Sequence, residues 1–194
     1  MFEFGGAFGV TQYRPPPIIV FDPEKGEPTI IYPDYGSYLS FAGKFGFYWT
    51  LPTSFNSMFS FILNHGSGYI SEDIGPFTPI TTSYYGEIFK AELPGLTAFS
   101  LNFAGRFHRT FGANASLSYF VLNSLKTANN FALDTEENSD RLLGAELFFK
   151  FTWSPFSDLQ LTFGAGTFMP SLGNVWRDGK PHWRVDLAAV LAIY

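Results

Sequence analysis

The chain has 194 residues, of which 20% are aromatic and only 15% charged, and it carries a net charge of -5. Soluble domains carry about 25% charged residues, so the deficit fits a surface solvated by lipid rather than by water. The acidic balance argues against nucleic acid as a partner, and the absence of cysteine excludes disulfides, thiolate catalysis and cysteine-bound metal.

Mean hydropathy is only +0.06, and no apolar run approaches the ~18 residues of a membrane helix. The chain instead alternates apolar and polar or small residues, the period of a strand with two unlike faces. Phe2, Phe4, Phe8 and Val10 oppose Glu3, Gly5, Ala7, Gly9 and Thr11 in the first expected strand. A long connection follows, in which 18–21 and 29–32 are placed to pair as a small hairpin. The second strand sets Leu39, Phe41, Phe45, Phe47, Trp49 and Leu51 against Ser40, Lys44, Tyr48 and Thr50. After the Pro52-Thr53-Ser54 turn, the third sets Ser57, Phe59, Phe61 and Leu63 against Asn56, Ser60 and Asn64.

From His65 to Leu96 the alternation weakens and Gly, Pro and Ser accumulate, which predicts a long loop with an extended portion between Ile80 and Leu93. The fourth strand presents Phe99, Leu101, Phe103 and Phe107 opposite Ser100, Asn102, Arg106 and His108. A tight turn near Thr110 leads to the fifth, with Leu117, Tyr119 and Val121 on one face. The polar stretch 123–140 is another loop. The sixth strand carries Leu143, Ala145, Leu147, Phe149, Phe151 and Trp153 outward and Glu146 and Lys150 inward. The seventh runs from Leu159 to Ala165 with Phe163 outward, and the last sets Trp183, Val185, Leu187, Ala189, Leu191 and Ile193 against Arg184, Asp186 and Ala188.

Short turns (52–54, 109–112, 154–157) alternate with long connections (12–36, 65–96, 123–140, 170–181). Strands of roughly ten residues joined in that way predict an all-β, antiparallel up-and-down transmembrane β-barrel of about eight strands, with short periplasmic turns and long extracellular loops. Residues 1–194 then form a single outer-membrane domain, either a small barrel in itself or the C-terminal part of a larger one. Met1-Phe2-Glu3-Phe4 has neither a basic n-region nor an apolar h-region. The start is therefore expected to be an artificial boundary, a mature start or the edge of a larger chain.

On this reading Phe41, Phe45, Phe47, Phe59, Phe61, Phe99, Phe103, Phe149, Phe151, Phe163, Leu187 and Leu191 face lipid. Trp49, Tyr119, Trp153, Trp183 and the nearby Tyr48 are candidates for interfacial girdles. Glu3, Lys44, Arg106, His108, Glu146, Lys150, Arg184 and Asp186 line the lumen. These charges either pair to hold a filled interior closed or set the selectivity of a narrow solute path. Closure is expected to bring Glu3 beside Arg184 or Asp186.

The segments Leu143-Gly144-Ala145-Glu146-Leu147-Phe148, Ser157-Asp158-Leu159-Gln160-Leu161 and Gly164-Ala165-Gly166-Thr167-Phe168-Met169-Pro170 resemble the closing strands of alginate-export-type outer-membrane porins. Tyr85-Gly86-Glu87 with Leu93-Pro94-Gly95-Leu96 is similar to that family's extracellular loop and the strand descending from it. The resemblance covers the C-terminal half of the chain. It implies a porin-like barrel, passage of anionic polysaccharide or small solutes, and outer-membrane lipid and the barrel-assembly machinery as partners. Outer-membrane barrels end on an aromatic residue in phase with the lipid face, whereas Tyr194 shares the phase of Asp186 and Ala188.

His65 lies near Ser67, Ser71, Glu72 and Asp73, and His182 near Asp178 and Ser171, but no Gly-x-Ser-x-Gly elbow is present. No catalytic residue, metal site or cofactor is therefore expected. Acidic residues Asp134, Glu136, Glu137 and Asp140 form a solvated or surface-binding loop. The expected function is porin-like passage of small or anionic solutes at the outer membrane. The alternatives are a closed structural or adhesive barrel acting through its loops, and a soluble barrel holding a lipophilic ligand with its aromatic face inside.

Overall fold

Alternating sequence becomes an antiparallel meander. The computed structural model describes residues 1–13, 17–21, 28–31, 36–52, 56–71, 73–81, 83–124 and 141–192. Eight long strands pair in chain order: β1 (Phe2–Tyr13), β4 (Gly36–Thr50), β5 (Met58–Gly66), β8 (Leu96–His108), β9 (Phe111–Leu122), β10 (Leu142–Trp153), β11 (Leu159–Met169) and β12 (His182–Leu191). Two minor hairpins sit in the long connections: β2 (Ile18–Phe21) with β3 (Pro28–Ile31), as the sequence led one to expect, and β6 (Tyr84–Tyr85) with β7 (Ala91–Glu92).

Every ladder in the large sheet is antiparallel. The short turns therefore gather at one end, the turn end, and the long connections at the other, the loop end. Cross-strand register places Lys44 with Asn64, Asn64 with Ala98, Ser118 with Glu146, Lys150 with Gly164 and Gly164 with Asp186, so the polar phases of neighbouring strands share one face. The opposite, aromatic face carries cross-strand ladders. Phe45 lies 5.3 Å from Phe4 and 6.3 Å from Phe61, and Phe151 lies 6.2 Å from Phe111 and 6.4 Å from Phe163 (ring centroids). None of the twelve apolar residues assigned outward is buried.

Closure is where the structure departs from expectation. β1 pairs only with β4, β12 only with β11, and the described residues form an open sheet. Phe8 on β1 is 91% exposed and Leu187 on β12 is 82% exposed. Two bulges also redirect side chains. Between Leu142 and Gly144 the register slips by one residue, which turns Leu143 inward to 0% exposure, although its phase read as outward. Gly144 absorbs the slip at φ 135°, where an added Cβ would stand 2.5 Å from the Met169 carbonyl oxygen.

Candidate functional site

The polar face divides into three levels. At mid-height it is lined by small hydroxyl and amide side chains: Ser100 and Ser118 lie 3.0 Å apart, and Asn102 donates to Ser60 at 3.4 Å.

At the loop end the connection between β5 and β8 folds back onto this face. Glu146, on β10, is 1% exposed and forms no ion pair among the described residues. Its carboxylate instead accepts three consecutive backbone amides, from Glu87 at 2.6 Å, Ile88 at 3.0 Å and Phe89 at 2.8 Å. Successive amides converging on one anion satisfy a buried charge without a counter-ion. Gly86, at φ 86°, permits the approach, because a Cβ there would stand 2.8 Å from the Phe120 ring and 2.9 Å from Glu146 Oε2. The clamp seats Phe89 against Phe168 (centroids 4.4 Å apart, planes within 13°) and Phe120 (5.1 Å). A buried cluster of Ala91, Leu96, Ala98, Phe120, Leu122, Leu143 and Phe168 surrounds it. Beside it a recess of about 900 Å³ is lined by Phe89, Phe168, Trp176, Arg177, His182 and Trp183 among others.

Two ion pairs flank the clamp. Lys44 Nζ meets Glu3 Oε1 at 2.7 Å, and the Tyr48 hydroxyl donates to Glu3 Oε2 at 2.7 Å. Tyr48 is thus on the polar face and no part of an outer girdle, whereas Trp49, Trp153 and Trp183 are exposed. Arg184 Nε meets Asp186 at 2.8 Å, and Arg184 Nη1 donates to the Glu87 carbonyl oxygen. Glu3 and Arg184 are therefore separately satisfied rather than neighbours, because β1 and β12 do not meet.

At the turn end the charge balance changes. Lys150 shares its strand phase with Glu146, but the inserted hairpin occupies that carboxylate. Lys150 forms no ion pair among the described residues. It lines a recess of about 690 Å³ together with Arg106, Arg109, Asn114, Thr152 and Ser154, and no carboxylate is among the lining residues. Arg106 Nη2 donates to the Arg109 carbonyl oxygen at 2.6 Å. Arg106 and His108 follow a register break after Gly105 and close β8 at its exposed turn end, where His108 contacts Thr110 and Arg106 lines the recess beside Lys150.

His65 Nδ1 lies 2.9 Å from Thr97 Oγ1, and Ser67 Oγ donates to the Gly75 carbonyl oxygen at 2.7 Å while accepting from the Phe41 amide. The two side chains thus serve separate hydrogen-bond networks. Glu72, Asp134, Glu136, Glu137, Asp140 and Tyr194 lie outside the described residues. Among the described residues no cluster of three or more acidic or histidine side chains is placed to hold a metal ion. No helix among them is long and apolar enough to cross a membrane, which leaves crossing by strands untouched.

No protein-family model and no curated protein matches the chain. The fold defines an all-β protein built on one antiparallel meander with an exposed aromatic face.

Proposed function

We propose that this chain forms the wall of an outer-membrane β-barrel and that small anionic solutes pass along its polar face. One observation carries the anionic preference: Lys150, Arg106 and Arg109 surround a recess that no carboxylate lines, in a chain of net charge -5. The inward-phase acids are committed elsewhere, Glu3 to Lys44, Asp186 to Arg184 and Glu146 to backbone amides. A solute anion supplies the missing counter-charge, with guanidinium forks and an ammonium as its ligands.

Membrane residence is supported by the aromatic face, whose cross-strand Phe ladders are exposed or half-buried, and by the strict alternation of short turns and long connections. A soluble calyx would bury those rings. The inserted hairpin favours a second reading, a closed structural or adhesive barrel, because it fills the loop end of the polar face.

Heated and unheated protein compared on a gel in detergent, followed by bilayer conductance across a salt gradient, tests the proposal. Heat-modifiable migration with an anion-selective reversal potential supports it. Heat-modifiable protein without conductance favours the closed barrel. A monodisperse protein in detergent-free buffer overturns both.

A further inference from the structure

β1 and β12 are the edges of the sheet, and both are of a kind that proteins in water avoid. Among the described residues each presents ten or more residues of backbone with one side unpaired. Natural edges are blunted by Lys, Pro or inward charges, yet β1 contains neither Lys nor Pro, its one charge, Glu3, is neutralised by Lys44, and the two charges of β12 neutralise each other. Along β1, Phe2, Phe4, Phe8 and Val10 are 63–91% exposed, and along β12, Trp183, Val185, Leu187 and Leu191 are 61–82% exposed. Unpaired backbone groups cost several kcal/mol each in hydrocarbon, so no open edge survives there.

Self-closure of eight strands would crowd what this sheet carries. An eight-stranded barrel has an interior just wide enough for its own side chains. Here the polar face already bears the 84–92 segment, backbone included, with Tyr85, Ile88 and Phe89 packed on the core. A wider cylinder takes that segment without crowding the inward side chains.

We propose that a second copy of this chain supplies it, with β1 of one protomer pairing with β12 of its partner and the reverse. The inference rests on the outer-membrane reading above. β1 and β12 run in opposite directions, so a two-fold axis along the barrel makes both new seams antiparallel and leaves no edge over. Twice eight strands is the size at which barrels keep an aqueous channel. The exposed residues of both edges lie in the aromatic phase, so the joined faces continue one apolar band.

The chain has no cysteine, which makes disulfide trapping clean. Single variants on β1 (Phe4→Cys, Phe8→Cys) and on β12 (Val185→Cys, Leu187→Cys) are folded together in detergent in all pairings and oxidised. A mixed disulfide dimer at one register, together with a scattering mass of twice the chain for the unmodified protein, is the expected result. In double variants that carry one of these cysteines on each strand, an intrachain disulfide with a monomeric mass overturns the second copy and keeps the barrel. A dimer trapped at no register overturns it as well. Heat-modifiability of the same samples reports separately on the barrel reading, because loss of that property removes the premise rather than the pairing.

Discussion

The Phe89 amide donates to Glu146 Oε2 at 2.8 Å, and this contact joins a loop residue to a strand 57 positions away in the chain. It converts a charge that reads as lumen lining into the anchor of an inserted hairpin. Glu146→Ala leaves three amides without their acceptor. A buried unsatisfied group costs about 1–3 kcal/mol, and water reaches the exposed Glu87 amide, so the hairpin loses about 1–3 kcal/mol. The expected outcome is trypsin cleavage after Lys90 at least tenfold faster, with the strand signal in circular dichroism retained. Glu146→Gln, which replaces one acceptor oxygen by a donor, falls between.

Gly86 is the second lever on the same contact. Gly86→Ala forces a side chain into φ 86° and against the Phe120 ring. A cost of about 1–3 kcal/mol is expected from that conformation, read as a lower melting temperature and faster Lys90 cleavage. Gly43→Ala, whose Cβ would meet nothing within 4 Å, serves as the neutral control.

Alkaline pH acts on the hairpin through Tyr85. Burial pushes its phenol above the ordinary tyrosine range, with the Lys44 charge opposing. The folded form thus retains the proton longer than the unfolded chain does. Its stabilisation is complete below the unfolded value of about 10 and is lost as pH rises through the folded value. Hairpin protection measured by proteolysis is expected to fall in that alkaline window. Tyr85→Phe is expected to remove this step while leaving behaviour at neutral pH unchanged.

Charge selectivity tests the turn-end recess. Lys150→Glu combined with Arg109→Glu places two carboxylates where none now lies. The reversal potential is expected to change sign from anion- to cation-selective. The same two substitutions to Gln are expected to bring selectivity close to zero. Unchanged selectivity in both variants would show that this recess does not carry the current.

Strand phase was legible because a period of two needs only nearest neighbours: Phe41, Phe45 and Phe47 declare one face and Ser40 and Lys44 the other without knowledge of any partner strand. The 18–21 hairpin and the alternation of turns and loops were legible for the same local reason. Glu146 was not, since its partners are backbone amides with no sequence identity, and only Gly86 in Tyr85-Gly86-Glu87 hinted at a close approach. Leu143 escaped because one extra residue in a bulge reverses a phase that alternation alone cannot interrupt, although Gly144 beside it marks the place. The second bulge, between Gly105 and His108, was hidden from alternation in the same way. Whether Glu3 meets Arg184 depended on closure, a property of the whole sheet and of what its polar face must hold.

The meander order of the sheet also has a kinetic side. All seven ladders of the large sheet join strands adjacent in the β1-β4-β5-β8-β9-β10-β11-β12 order. Six of them form as hairpins whose connections are modest or contain structure of their own, so loop-closure entropy is met in small instalments. Low sequence separation of this kind favours rapid zipping from any starting hairpin. The outer sides of β1 and β12 have no such local route to a partner. The meander therefore forms quickly with two long apolar edges open, the condition in which protection against edge-to-edge clumping matters most.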